Sequence, residues 1–237
     1  MTSLKISELV DRMNVPEGVF VPTGTSHLLV ECVLQQERKF GRLLDLGCGS
    51  GLVGISLLLS SEQDSKHLYA SDVSERATLA TAANCEECGI THTVKTGTLF
   101  SPWEGHSFDT IVNDVSGVSE TVADISPWFS GVPCESGADG TKFVNEIIKN
   151  ASDYLSADGV LYFPVLSLSA ATKTIELAHE IYEFVERIGR SEWLLPKEMQ
   201  AHSELLLNLR DDGLIDFNEK FGAMVWWTEI YAARNVR

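Results

Sequence analysis

The sequence predicts an α/β protein, a mostly parallel sheet with helices on both faces. Short apolar runs alternate with amphipathic stretches of helical length along most of the 237 residues, as expected where helices carry the crossovers of a parallel sheet. A glycine-rich turn, Gly47-Cys-Gly-Ser-Gly51, separates the first such run from the first such stretch, the place where open sheets bind ligands. No internal repeat, low-complexity tract or linker interrupts the chain. One domain is therefore expected over 1–237, with a short N-terminal helical extension over about residues 1–40.

In that extension Ser3–Met13 is helix-like, Gly18–Pro22 is extended and Thr25–Gln35 is a second helix. Pro22 to Ser26 would lie over the mouth of a ligand site if this helix packs beside the first strand. Strands follow near 42–46, 67–72, 91–96, 108–113 and 159–166, and helices near 52–61, 74–88, 139–156 and 170–186. Gly159 ends the turn that launches Val160-Leu-Tyr-Phe163. The last two strands, near 187–195 and from Phe221 to Ala233, lack an obvious crossover helix between them, with only a short one at Glu204–Leu209. An antiparallel final strand beside the fifth, seven strands in all, is the expected outcome.

Composition narrows the function. The formal net charge is −16, with 34 acidic against 18 basic residues, a surface that repels phosphate backbones and disfavours a nucleic-acid substrate. No run approaches the roughly 18 apolar residues of a membrane span, and the first residues lack a signal-peptide pattern. The five cysteines follow no framework spacing, which fits reduced thiols in a cytoplasmic protein. Cys85 and Cys88 have no second pair or nearby histidines, so no metal site is expected.

The glycine turn carries the chemistry. Alternate glycines permit backbone angles denied to other residues and bring a ligand against the main chain. The amides opening the next helix then face that ligand. The dinucleotide fingerprint Gly-x-Gly-x-x-Gly would need glycine where Leu52 stands. Asp72 closes the second strand, where a carboxylate accepts from both ribose hydroxyls of a nucleoside. NAD would use the same group, and an N-cap role for the helix near Glu75 is also open, with Ser74 the better cap. Asp45 either anchors the turn or meets the ligand's amino group.

An acidic residue followed by Gly-x-Gly-x-Gly resembles the first motif of class I S-adenosylmethionine (SAM) dependent methyltransferases. Four stretches together resemble the release-factor protein-glutamine N5-methyltransferases and their small-domain relatives. They are Val19-Phe-Val-Pro-Thr-Gly-Thr-Ser-His-Leu-Leu-Val-Glu31, the glycine motif with Asp72, Gly97-Thr-Leu-Phe100, and Gly137-Ala-Asp-Gly140. The likeness covers about residues 18–190 and lacks that family's larger helical N-terminal domain. It implies a Rossmann-like seven-stranded sheet and SAM as cofactor. The implied cofactor contacts are Asp45, Gly47, Cys48, Gly49, Gly51, Leu52, Asp72, Val73, Thr98, Leu99 and Asn113. Thr98 stands where the family has an acid, which leaves the adenine to backbone amides.

The likeness breaks at the end of the fourth strand. That family has Asn-Pro-Pro-Tyr; this chain has Asn113-Asp114-Val115-Ser116. Asn113 is well placed to orient a methyl acceptor, since ligands bind at that edge of open sheets. Asp114 either takes a proton from the acceptor or forms an Asx turn with Ser116. Trp103, Trp128 and Phe129 either wall an apolar acceptor pocket or pack as core or lid, and His27 is a base near the pocket or a structural histidine. Trp226 and Trp227 alternate on a strand, so at least one belongs to the core. The expected activity is methyl transfer from SAM to N or O of a small molecule or a protein side chain. A non-catalytic SAM-binding subunit is the alternative, and RNA methylation and NAD chemistry rank lower.

Overall fold

The computed structural model describes residues 13–236. The expected helix over Ser3–Met13 lies outside them except for its last position. Eight strands form one sheet: β1 Leu43–Leu46, β2 His67–Asp72, β3 Thr91–Thr96, β4 Phe108–Asn113, β5 Leu155–Leu166, β6 Tyr182–Leu194, β7 Asn218–Lys220 and β8 Ala223–Val236. Their order is β3-β2-β1-β4-β5-β8-β6, with β7 paired to β8. Strands β1 to β5 run parallel, and β8 inserts antiparallel between β5 and β6, as anticipated for the final strand.

The helices are α1 Gly24–Gln36, α2 Leu52–Ser60, α3 Glu75–Glu87, α4 Glu120–Asp124, α5 Lys142–Asn150, α6 Ala171–Ile181, α7 Lys197–Gln200 and α8 Ser203–Asp211. None among the described residues is long and apolar enough to cross a membrane. Every residue of β1 is buried because helices cover both faces. Alternation then divides the core: Leu43 joins Leu29, Leu57 and Val112 on the α1–α2 side, while Leu44 and Leu46 join Ile111, Ile147 and Phe163 on the other. At Gly54 an added Cβ would lie 2.5 Å from Leu68 Cδ1, so the missing side chain lets α2 settle onto the sheet.

Several boundaries differ from expectation. The helix expected over 139–156 ends at Asn150, and β5 begins at Leu155. The register steps from Phe108↔Leu155 to Thr110↔Val160, so Ser156 to Gly159 bulge from the ladder and Gly159 does not start the strand. The helix expected over 170–186 stops at Ile181, because Tyr182 already pairs with Val236. β7 is the strand beyond the expected seven. It has three exposed residues and exists by pairing with β8.

The fold places the site. The chain winds from β1 outward to β3, then returns past β1 to β4. β1 and β4 therefore flank the switch point, outside whose carboxyl ends open sheets bind ligands.

Candidate functional site

A cavity of about 860 Å³ lies at that switch point, lined in part by Asp45, Gly47, Gly49, Asp72 and Asp114. The glycine turn forms its floor. Ser71 O accepts both the Gly47 and Cys48 amides, at 2.8 and 3.1 Å, which ties the turn to β2. Gly49 donates its amide to Asp72 Oδ2 at 3.0 Å, and Ser74 donates to Asp72 Oδ1 at 2.9 Å. Ser74 in turn caps α3 by accepting from Ala77, so the N-cap role at this corner belongs to Ser74 and not to Asp72. Gly47 (φ +70°) leaves room for the loop after β4: a Cβ there would sit 2.6 Å from Val115 Cγ1. Gly49 (φ +54°) is different, since an added Cβ would meet nothing within 4 Å.

Cys48, Leu52, Val73, Thr98 and Leu99 also line the cavity. Leu99 does so with a φ of +46°, a strained angle for a bulky residue. Two expected contacts stand off the wall. Gly51 is the left-handed N-cap of α2, its Cβ position hemmed in by Ile55 and Thr81. Asn113 is fully buried beneath the loop, and neither of its amide atoms has a partner.

Asp45 on β1 and Asp114, the first residue after β4, both line the cavity. Asp45 Oδ2 accepts the Gly54 amide at 2.9 Å, and its buried Oδ1 has no partner. Asp114 Oδ2 accepts from Ser26 Oγ at 2.5 Å. Ser26 is held by the capping box of α1, where its hydroxyl also accepts the Thr23 amide at 3.3 Å. The sequence reading puts Pro22 to Ser26 over the mouth of the site, and all five residues line the cavity; what it does not assign is the Ser26 hydroxyl to Asp114. On its other side the loop is clamped by Gly140 (φ +72°), where a Cβ would fall 2.5 Å from the Val118 carbonyl carbon.

Burial raises the proton affinity of all three carboxylates around the cavity. Burial pushes Asp45 up to about 7, with the charges of Asp114 and Asp72 adding to the rise and the Gly54 amide opposing it. Burial likewise raises Asp114 to about 6 against the Ser26 hydrogen bond, and raises Asp72 against its backbone amides. Such a site favours a cation. It also carries a cost when empty. Between the ordinary carboxylate value and about 6 the folded state keeps a proton on Asp114 that the unfolded chain has released. Deprotonation therefore favours unfolding, and this contribution falls as pH rises through that window. Asp114→Asn should make the loss of urea midpoint between about pH 4 and pH 6 shallower than in the wild type. Parallel curves for the two proteins would show that Asp114 titrates normally.

Beyond Asp114 the cavity wall is aromatic, with Phe20, Trp128, Phe129, Trp193 and Trp226. Trp226 packs on Trp128 at 5.2 Å between ring centroids, and Phe20 meets Phe129 at 5.2 Å. Trp103 is a correction to the pocket reading. It is wholly buried, edge-on to Tyr69 and Phe108, and donates Nε1–H to Ser71 Oγ at 2.9 Å. His27 is not among the residues lining the cavity. Trp227 lies under the Arg190 guanidinium, while Trp226 is the buried member of the pair. No group of three His, Cys, Asp or Glu side chains among the described residues is placed to hold a metal.

Residues 15–114 match the family described as methyltransferase small domain. The release factor glutamine methyltransferase of Bacteroides thetaiotaomicron is 30% identical over 162 residues, covering 64% of this chain and 56% of that protein. The enzyme of the same name from Thermodesulfovibrio yellowstonii is 27% identical over 164 residues, covering 65% of this chain and 58% of its own length. The chain thus spans little more than half the length of these relatives. A crystal structure of precorrin-6y C5,15-methyltransferase from Geobacter metallireducens shares the fold, with a TM-score of 0.55 at 13% identity and 95% of both chains covered.

Proposed function

We propose that the chain, whose residues 15–114 match the methyltransferase small-domain family, is a SAM-dependent methyltransferase acting on a small molecule or a protein side chain. The observation that carries this reading is the trio Asp45, Asp72 and Asp114 around the glycine turn, with Asp45 Oδ1 buried and unpartnered. The residues fit the cofactor. Asp72 would take the ribose hydroxyls with the lone pairs its two amides leave, and Asp45 Oδ1 would take the amino group. The open space at Gly49 admits the ligand to the backbone. SAM, when bound, supplies a methyl group on a positively charged sulfur, which the surrounding carboxylates favour.

Asp114, held by Ser26, is placed to accept the proton that the acceptor releases. Its raised proton affinity suits a base working near neutral pH. The relatives' names point to a glutamine acceptor, but a planar amide loses its stacking surface without the Pro-Pro-Tyr that follows the strand in that family. Orientation supplies much of the rate in a displacement of this kind. The acceptor proposed here is therefore not a release-factor glutamine.

The test offers methyl-labelled SAM with a purified release factor, with other proteins and with small metabolites. Label is expected in an acceptor other than the release factor. Asp114→Ala should keep cofactor affinity within about threefold yet lose roughly 100-fold or more in turnover. Efficient labelling of the release-factor glutamine would contradict this reading of the altered loop. Cofactor binding with no transfer to any acceptor would favour a SAM-binding subunit without catalysis, a role the lost Pro-Pro-Tyr also suits.

A further inference from the structure

The part of the cavity beyond Asp114 has walls and charge of its own. Trp128, Phe129 and Trp193 pack there against a core cluster containing Val118, Leu168 and Trp226. Aromatic faces attract cations, the more so away from water. Asp114 lies at the inner end, and Glu135 and Glu146 stand exposed at the rim. Lys142 is the sole basic residue among the described ones lining the cavity, and its Nζ already sits 4.9 Å from the Phe143 ring centre. Trp226, which also lines this end, is 6% exposed, and its Nε1–H is buried without a partner.

We infer that this end of the cavity binds an organic amine in its cationic form, with a flat apolar body. Naming that amine the methyl acceptor rests on the methyltransferase reading; its binding does not. An anionic ligand would meet Asp114, Glu135 and Glu146 with little cationic charge to offset them. A neutral apolar ligand would fill the aromatic wall but leave those carboxylates without a counter-charge. An extended peptide is poorly served, because the Phe20–Phe129 contact, 5.2 Å between ring centroids, ties the chain before α1 to the loop after α4 across this region. The overall charge of −16 draws cations toward the mouth.

Calorimetry on the full chain loaded with S-adenosylhomocysteine tests this with three probes that share a phenol ring and differ in charge. They are tyramine, the alcohol tyrosol and 4-hydroxyphenylacetate. Tyramine should bind about tenfold or more tightly than tyrosol, a difference of ~1.4 kcal/mol, and the acid should not bind. Trp128→Ala and Glu146→Gln should each weaken tyramine by about threefold or more while leaving S-adenosylhomocysteine affinity unchanged, and Trp128→Phe should restore most of the loss. Equal or tighter binding of the alcohol or the acid overturns the inference. So does failure of all three probes to bind, or tyramine affinity that neither variant alters. If S-adenosylhomocysteine itself does not bind, the cofactor reading fails, and tyramine titrated into the unloaded protein still decides this one.

Discussion

Gly49→Val should abolish binding of S-adenosylhomocysteine while leaving the fold intact. The two effects separate at this residue because its surroundings differ from those of its neighbours. A side chain at Gly47 would strike Val115, and one at Gly51 would press on Ile55 and Thr81. At Gly49, which lines the cavity, a Cβ meets no protein atom within 4 Å, so a side chain there would enter the space proposed for the cofactor. The left-handed φ of +54° adds a backbone penalty of about 1–2 kcal/mol for a side-chain-bearing residue, and Val is among the worst suited. Thermal stability should therefore fall modestly, whereas affinity should fall roughly 100-fold or more once a branched side chain occupies the approach to the main chain. Gly49→Ala should lie between the two. Wild-type affinity in a folded Gly49→Val protein would show that the turn serves the fold alone.

The second large effect is expected at Asp72. Its carboxylate accepts the Gly49 and Ser74 amides, joining the glycine turn to the start of α3. Asp72→Ala removes a charged acceptor from the ligand and leaves two backbone donors without their partner. Hydrogen bonds to charged groups contribute about 1.5–3 kcal/mol each, so affinity should drop by at least tenfold, with a smaller loss of stability. Asp72→Asn keeps an oxygen for one amide and should recover stability before it recovers affinity. Unchanged cofactor affinity in folded Asp72→Ala would remove Asp72 from the ligand's contacts.

The part of the site that was legible in sequence is the part whose backbone requires special residues. Glycines at 47, 49 and 51 all take positive φ, and an acid ending β2 stands beside them because β1 and β2 pair in register, Leu46 opposite Ser71. Such constraints are local and leave a mark in the chain. The hydrogen bond from Ser26 to Asp114 left almost none. It forms only because α1 packs on the sheet, bringing together residues 88 apart in sequence.

The misplaced boundaries have the same cause. Tyr182-Glu-Phe-Val-Glu-Arg187 reads equally as helix or strand, and its partner in β8 lies more than forty residues later. β7 has no apolar pattern at all, since its three residues are exposed and only the ladder to β8 defines it. Trp103 was set against the fourth-strand loop by proximity in sequence. The short 3₁₀ turn Ser101–Trp103 instead carries it beneath β2 and β4, where Tyr69 and Phe108 enclose it.

The central claim is that the cavity at the β1–β4 switch point is built for SAM. Parallel calorimetric titrations of SAM and NAD into the wild-type protein near neutral pH test it most directly. Saturable binding of one SAM per chain, lost in Gly49→Val, with no heat from NAD, is the predicted result. Saturable binding of NAD with no binding of SAM would contradict it.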